Sequence, residues 1–491
     1  MSIRTILIGL ALAGFAGAVQ GAESAQPLPA KLLPSACRDA AGAAKDHRRC
    51  YQLDVPEDPG HPDGRHIQLD VTVVTAAKPG PQKLAIFFLA GGPGERSTDG
   101  GVGPFPELVP GHDVVHVDLR GTGTTPDLGC RVPTDDAHLQ PLLSEEWPAD
   151  SLTACLEALE GKADVRLYTT ANGAEDLDLA RRALGYDRID LVGGSYGTQL
   201  AQAYIRLHGD HVRTAVLESV VSPDSPVPEG FARHAEMSIL AILDRCLDDP
   251  DCARAFPDVR PEFDIVKRRL AQGGLMMSDP ANPKGPPLTV SAGVAAATLR
   301  AEAYYPDGAA LIPMQIHALA HGDDDAFLKA VLDYRRDIEA GTAEGVYLSI
   351  NCAEAMPRDD LQALRKDAEG TLFGSFRIDG LVKACAIWPK AQDPRPDLHT
   401  LGSWPGPVLA VSGEFDPVTP PVYAERVMTQ FPNGRLLRLP NQRHGVTMEA
   451  GKCALDLVTT FIKAGSAEGL DFRCAERLSL PKFVLAPPKA P

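Results

Sequence analysis

Short apolar runs alternate with helical stretches through the first half of the chain, the pattern of a mostly parallel sheet with crossover helices. Ile67 to Val74 alternates apolar and polar positions and predicts a half-buried strand. Leu84 to Leu89, Val114 to Val117 and Ile189 to Val192 are compact apolar runs of the kind covered on both faces. Leu200, Tyr204 and Leu207 then fall on one helical face between Thr198 and His208, and Gly209 is placed to stop that helix. From about residue 226 the period changes. Phe231 to Leu247 and Ala326 to Ile338 carry apolar residues at helical spacing, with a proline-rich loop from Pro280 through Pro287 between them. Strand character returns at Val408 to Val411 and Leu436 to Leu439. The expected organisation is an α/β core in two parts, 23–225 and 401–475, with a helical insertion at 226–400 and a loosely held, Pro-rich tail at 476–491. No internal repeat is visible.

Residues 1–22 read as an export signal. Arg4 supplies the positive n-region, Ile6 to Val19 is apolar and rich in small residues, and both Ala16-Gly17-Ala18 and Val19-Gln20-Gly21 fit a cleavage site. The run is short for a transmembrane helix, so the mature chain is expected to carry no membrane anchor, an uncleaved anchor being the alternative. Export makes the 10 cysteines a disulfide set. In chain order they pair most simply as neighbours: Cys37 with Cys50, Cys130 with Cys155, Cys246 with Cys252, Cys352 with Cys385, and Cys453 with Cys474. Composition narrows the partners. Hydrophobic residues at 44% and charged residues at 23% exclude a disordered chain, and a net charge of −17 argues against nucleic acid.

The chemistry centres on Gly193-Gly194-Ser195-Tyr196-Gly197, which follows an apolar run directly and opens a helical pattern. A nucleophilic serine on so sharp a strand-to-helix turn needs small residues two before and two after it, and Ser195 is the only serine flanked by glycine at both of those positions. In this arrangement an acid and then a histidine follow in chain order. His444 is the only histidine beyond residue 400, in a loop after Leu436 to Leu439. Val408 to Val411 runs into Ser412-Gly413-Glu414-Phe415-Asp416, so Asp416 is the first candidate for the orienting acid and Glu414 its local rival. Backbone N–H groups of Tyr196, after the nucleophile, and of Gly92, in Ala90-Gly91-Gly92-Pro93-Gly94 after Leu84 to Leu89, are the candidate oxyanion donors. No cofactor or metal is implied. The lysine of a phosphate-binding loop is absent, and His112-Asp113-Val114-Val115-His116 lies in a strand pattern where the zincin motif needs a helix.

Taken together, Gly91-Gly92-Pro93-Gly94, Asp118-Leu119-Arg120-Gly121-Thr122-Gly123, the Ser195 pentapeptide, Asp416-Pro417-Val418 and His444 resemble the α/β-hydrolase serine peptidases of the prolyl iminopeptidase and secreted tripeptidyl aminopeptidase group. The resemblance implies an α/β-hydrolase fold with a helical cap and an exopeptidase that takes peptides with a free N-terminus. Ala90 stands where many iminopeptidases have histidine, which fits the tripeptidyl branch better. The group binds the substrate ammonium with an acidic residue near the cap. Asn351-Cys352-Ala353-Glu354 resembles that stretch, making Glu354 the candidate, with a surface glutamate beside a disulfide as the alternative. A carboxylesterase or lipase on the same triad, and a non-catalytic binding protein on the same scaffold, remain the rival readings.

Overall fold

The computed structural model describes residues 30–38, 47–99, 103–123, 126–132, 135, 138–225, 229–390, 395–445 and 451–486. The export signal expected at 1–22 lies outside these residues. A nine-stranded sheet runs through the molecule in the order β1-β2-β3-β5-β4-β6-β7-β10-β11. Its strands are β1 (Lys31–Ser35), β2 (Arg48–Pro56), β3 (His66–Val74), β4 (Leu84–Leu89), β5 (His112–Val117), β6 (Ile189–Gly194), β7 (Val212–Glu218), β10 (Val408–Gly413) and β11 (Gly434–Leu439). The six strands from β5 to β11 are mutually parallel, and β1, β2 and β3 extend the sheet antiparallel at one edge. This is the fold class the sequence and the resemblance imply.

The continuous apolar runs have a direct structural cause. Successive side chains of a strand point to opposite faces, and both faces of this sheet are covered. Thus Phe87 and Leu89 enter one apolar cluster and Ile86 the other, as do Val115 against Val114 and Ala410 against Leu409 and Val411. Each of the Phe, Leu, Ile and Val side chains among them contributes about 1.5–3 kcal/mol by leaving water. β7 is not apparent in the sequence because Arg213 and Thr214 interrupt its apolar run. In the fold Arg213 donates to Asp190 of β6 at 2.7 Å and Thr214 Oγ1 to the same carboxylate at 2.6 Å, so the polar positions satisfy one another across the strands.

Between β7 and β10 the chain is largely helical, with one short antiparallel pair, β8 (Leu275–Met277) and β9 (Leu288–Val290), flanking the proline-rich loop. Helices Phe231–Asp248, Val259–Gln272, Ala292–Glu302, Ile312–Ala320 and Asp325–Gly341 build a separate apolar cluster, which also takes in Val132, Leu139, Leu142 and Leu143 from the first half of the chain. Val346, Leu348, Ile350, Leu381 and Trp388, by contrast, pack into the core of the sheet. The helical stretch therefore straddles two cores. The tail is better held than the composition suggests: Phe483 lies under the Arg245 guanidinium at 4.0 Å, and Val484 N–H donates to Ala310 O at 3.0 Å.

Five disulfides join Cys37–Cys50, Cys130–Cys155, Cys246–Cys252, Cys352–Cys385 and Cys453–Cys474, each a pair of sequence neighbours. Such bonds are compatible with an extracellular location. Among the described residues no helix is long and apolar enough to cross a membrane.

Candidate active site

Ser195 occupies the turn between β6 and the helix Tyr196–His208 with φ 54° and ψ −123°, a backbone conformation in which a non-glycine residue is strained. The flanking glycines are needed for space. A Cβ on Gly193 would sit 2.4 Å from Gly197 O, and one on Gly197 would sit 2.1 Å from Leu89 O, so no side chain fits at either position. Tyr196 opens the helix, so its N–H has no intrahelical acceptor and is available to a ligand. Gly92 and Pro93 line the same cavity as Ser195 and Tyr196, which brings both candidate oxyanion donors to the serine. Gly92 has φ 100°, and a Cβ there would lie 2.6 Å from Gly94 N.

The ends of β10 and β11 are pressed together, since a Cβ on Gly413 would stand 2.0 Å from Arg443 O. Phe415 N–H donates to Gln442 O at 2.9 Å across the same junction. This contact sets Asp416 against His444: Nδ1 lies 2.8 Å from Asp416 Oδ2 and 3.0 Å from Oδ1. Asp416 also accepts from Val418 N and Thr419 N, each at 2.8 Å, and from Thr419 Oγ1 at 2.7 Å. Glu414 instead stands exposed and accepts from Asn441 N at 2.9 Å, away from the imidazole. Neighbouring residues tie the histidine to the serine. Ser195 N–H donates to Glu218 O at 2.9 Å, and Gly445 N–H to Ser219 Oγ at 3.0 Å.

Burial opposes the charged form of both groups, but each is overruled by its partner. The Asp416 carboxyl is held below its usual range by the His444 imidazole and its hydrogen bonds. His444 is raised above its usual value by Asp416, with Glu95 and Glu218 adding to the effect. A buried aspartate that fixes one imidazole nitrogen leaves the other to accept a proton from a serine, the electrostatic arrangement of a hydrolytic triad.

Glu354 is buried, with 3% of its surface exposed, and shares the cavity with Ser195 and Tyr196. Its carboxylate accepts from Thr170 N and from Thr170 Oγ1, each at 2.6 Å, at the head of the helix Thr170–Leu184, where the helix dipole favours a negative charge. Thr170 Oγ1 in turn lies 3.0 Å from Tyr196 Oη. The glutamate beside the disulfide is therefore not at the surface.

Two residues that the sequence reading passed over belong to the site. Tyr304 packs its ring on His444 with centroids 4.9 Å apart, and its backbone carbonyl accepts the His444 backbone N–H at 3.0 Å. Glu95 follows the glycine-rich turn. The point a Cβ on Gly91 would occupy is 3.0 Å from Glu95 Oε2 and 3.3 Å from Ser195 Cβ, so the carboxylate stands beside the serine. Solvent reaches Glu95, yet protein crowds it closely enough that burial pushes its pKa up. Its place immediately after Gly91-Gly92-Pro93-Gly94 was the available signal.

Arg120, Asp118, His112 and His116 are held in contacts within the core. Arg120 grips Asp176 at 2.8 and 2.9 Å and donates to Glu57 O and Leu167 O. Asp118 accepts from Thr98 N and Oγ1, with burial lifting its pKa to about 6. His112 and His116 lie on β5, the first 3.0 Å from Arg213 and the second 3.2 Å from Ser97 Oγ.

A family model described as alpha/beta hydrolase fold matches residues 85–248, and one described as TAP-like protein matches residues 370–474. The chain is 25% identical to serine protease Hip1 of Mycobacterium tuberculosis over 459 residues, covering 87% of each chain. It is 26% identical to the tripeptidyl aminopeptidase of Streptomyces lividans over 463 residues, covering 87% of this chain and 83% of the relative. A solved structure of proline iminopeptidase from Mycobacterium smegmatis aligns with 84% of this chain and 98% of its own at 15% identity, with a TM-score of 0.39. With the hydrolase model over the segment that carries Ser195 and the TAP-like model over the segment that carries Asp416 and His444, the chain is a serine hydrolase of the α/β-hydrolase fold, similar to the tripeptidyl aminopeptidases.

Proposed function

We propose that the chain is an exported aminopeptidase that releases short peptides, of the tripeptidyl kind, from unblocked N-termini through an acyl-enzyme. The observation that carries the reading is the buried Glu354 carboxylate in the same cavity as Ser195 and Tyr196. Ser195 Oγ attacks the scissile carbonyl, and His444 takes its proton and passes it to the leaving amine. Asp416 holds the imidazole in the required tautomer and balances the imidazolium. The N–H groups of Gly92 and Tyr196 bind the oxyanion, and water then releases the acyl group. Glu354 reads the substrate ammonium, and the helices from Phe231 onward act as a cap over the serine. Phe231–Asp248 is suited to that role because Ser238 Oγ donates to Phe415 O at 2.7 Å and accepts from Arg443 Nη1 at 2.7 Å, which pins the helix to both loops behind the histidine. Export is supported by the apolar N-terminal run and the five disulfides.

The esterase reading has one observation in its favour, since both oxygens of Glu354 already accept hydrogen bonds from Thr170. A panel of free and N-blocked chromogenic peptides of increasing length, assayed on the mature chain, separates the two. An aminopeptidase cleaves the free-amine series and discriminates strongly against the blocked one. Equal turnover of both returns the esterase.

A further inference from the structure

Next to the catalytic cavity lies a second, small recess with a free volume of ≈ 40 Å³, room for a few heavy atoms such as one carboxylate group. Phe231 and Arg377 line both spaces. The rest of the lining is largely apolar and includes Ala297, Leu364, Phe373 and Ile378. Four charged residues line it as well: Glu146, Arg300, Asp367 and Arg377. Three of these are neutralised. Arg377 donates to Glu146 at 3.2 and 3.3 Å, and Asp367 accepts from Arg233 at 2.7 Å.

Arg300 is the exception. Only 5% of its surface is exposed, and its Nη1 is buried with no hydrogen-bond partner. Its guanidinium stacks 3.9 Å from the Phe231 ring, whose surroundings also hold Arg377 at 5.0 Å. Cation–π contact with an aromatic ring offsets part of the cost of burying a guanidinium, but it does not satisfy the in-plane N–H donors of Nη1. A carboxylate, planar and able to accept from two N–H groups, is the partner that geometry suits.

The position of Arg300 indicates which part of a substrate it meets. The guanidinium lies 5.9 Å from the Tyr304 ring, and Tyr304 packs on His444. In serine-hydrolase chemistry the histidine protonates the leaving group, so groups clustered with the imidazole face the departing portion of the substrate. Glu354 reaches the serine by another route, through Thr170 and Tyr196.

We propose that Arg300 is a carboxylate-binding subsite for the leaving peptide, reading either its free C-terminus or an acidic side chain. This rests on the peptidase reading for its biological meaning, but its test does not. A short peptide as free acid, the same peptide as C-terminal amide, and an amide ending in glutamate are compared as inhibitors of the hydrolysis of a small neutral ester by the full chain. A carboxylate-bearing peptide is expected to inhibit about tenfold more tightly than the neutral amide, as suits a charged hydrogen bond. Preference for the free acid assigns the C-terminus, and preference for the glutamyl amide assigns the side chain. Equal inhibition by all three overturns the proposal, whether or not any peptide is cleaved. In Arg300→Met the ratio of acid to amide inhibition is expected to fall to about one, and Arg300→Lys to retain part of it. An unchanged ratio in a folded Arg300→Met variant likewise overturns it. The peptidase reading fails separately, if none of the free-amine peptides is hydrolysed.

Discussion

Glu354 and Thr170 are locked together by two hydrogen bonds of 2.6 Å, one from the backbone N–H and one from the hydroxyl of the threonine. The pair fixes where a negative charge stands in the cavity, because Oε1 cannot swing away without leaving a helix-terminal N–H unsatisfied and Oε2 holds the threonine hydroxyl. If this charge reads the substrate ammonium, Glu354→Gln lowers kcat/KM for free-amine peptides far more than for a small ester, by about 2–5 kcal/mol if the ion pair is desolvated. Thr170→Val, which removes the hydroxyl donor and leaves the charge, should have a smaller effect in the same direction. Steady-state kinetics on matched amine and ester substrates measures both, and equal losses on the two substrates would mean local unfolding instead.

Ser195→Ala is expected to reduce kcat by about 10⁴ or more, with thermal unfolding little changed and labelling by a fluorophosphonate abolished. His444→Ala should cost about as much, and the double variant little more, because the triad acts as a unit. Survival of activity within tenfold would remove the proposed mechanism.

Asp416→Asn should be far more damaging than Glu414→Gln, by about 10⁴ in kcat if the wrong imidazole tautomer results. The structural reason is that Asp416 touches Nδ1 at 2.8 Å whereas Glu414 is spent on Asn441. The reverse ranking would move the orienting acid to Glu414.

The titration of the pair sets two pH dependences. The proposed mechanism requires neutral His444, and its pKa is raised, so the acid limb of kcat/KM is expected above the ordinary imidazole value of 6.5. Glu95 contributes to that rise, and Glu95→Gln should move the limb to lower pH. For stability, a raised histidine stabilises fully below 6.5 and loses the effect as pH climbs through its folded value. The lowered Asp416 stabilises above 3.8 and loses the effect as pH falls through its folded value. Both contributions are therefore complete between 3.8 and 6.5, and the destabilisation caused by Asp416→Asn should be greater at pH 5.5 than at pH 9 in chemical denaturation.

Removing Cys352–Cys385, whose partners are 33 residues apart, should destabilise the chain more than removing Cys246–Cys252, 6 apart. Loop-closure entropy alone makes the difference about 1.5 kcal/mol. Denaturation of the two double-alanine variants would show the ranking, and a larger loss for the short loop would mean that native packing outweighs chain entropy.

Much of this site follows from local rules. Strands buried on both faces need unbroken apolar runs, and a serine at a strand-to-helix turn needs glycines at 193 and 197 because backbone atoms come within 2.4 Å of any Cβ there. Disulfide partners close in sequence were also readable, since short loops are the cheapest to close. β1, β2 and β7 were not; in β7 the apolar run is broken by polar residues that are satisfied only across the sheet, as Arg213 is by Asp190. The choice between Asp416 and Glu414 depended on how the ends of β10 and β11 abut, and the burial of Glu354 on a helix 184 residues away. The charge of Glu95 beside the serine and the unpartnered guanidinium of Arg300 belong to the same class: each side chain's identity is local, but the absence or presence of a counter-charge is a property of the packed interior, where desolvation gives it weight.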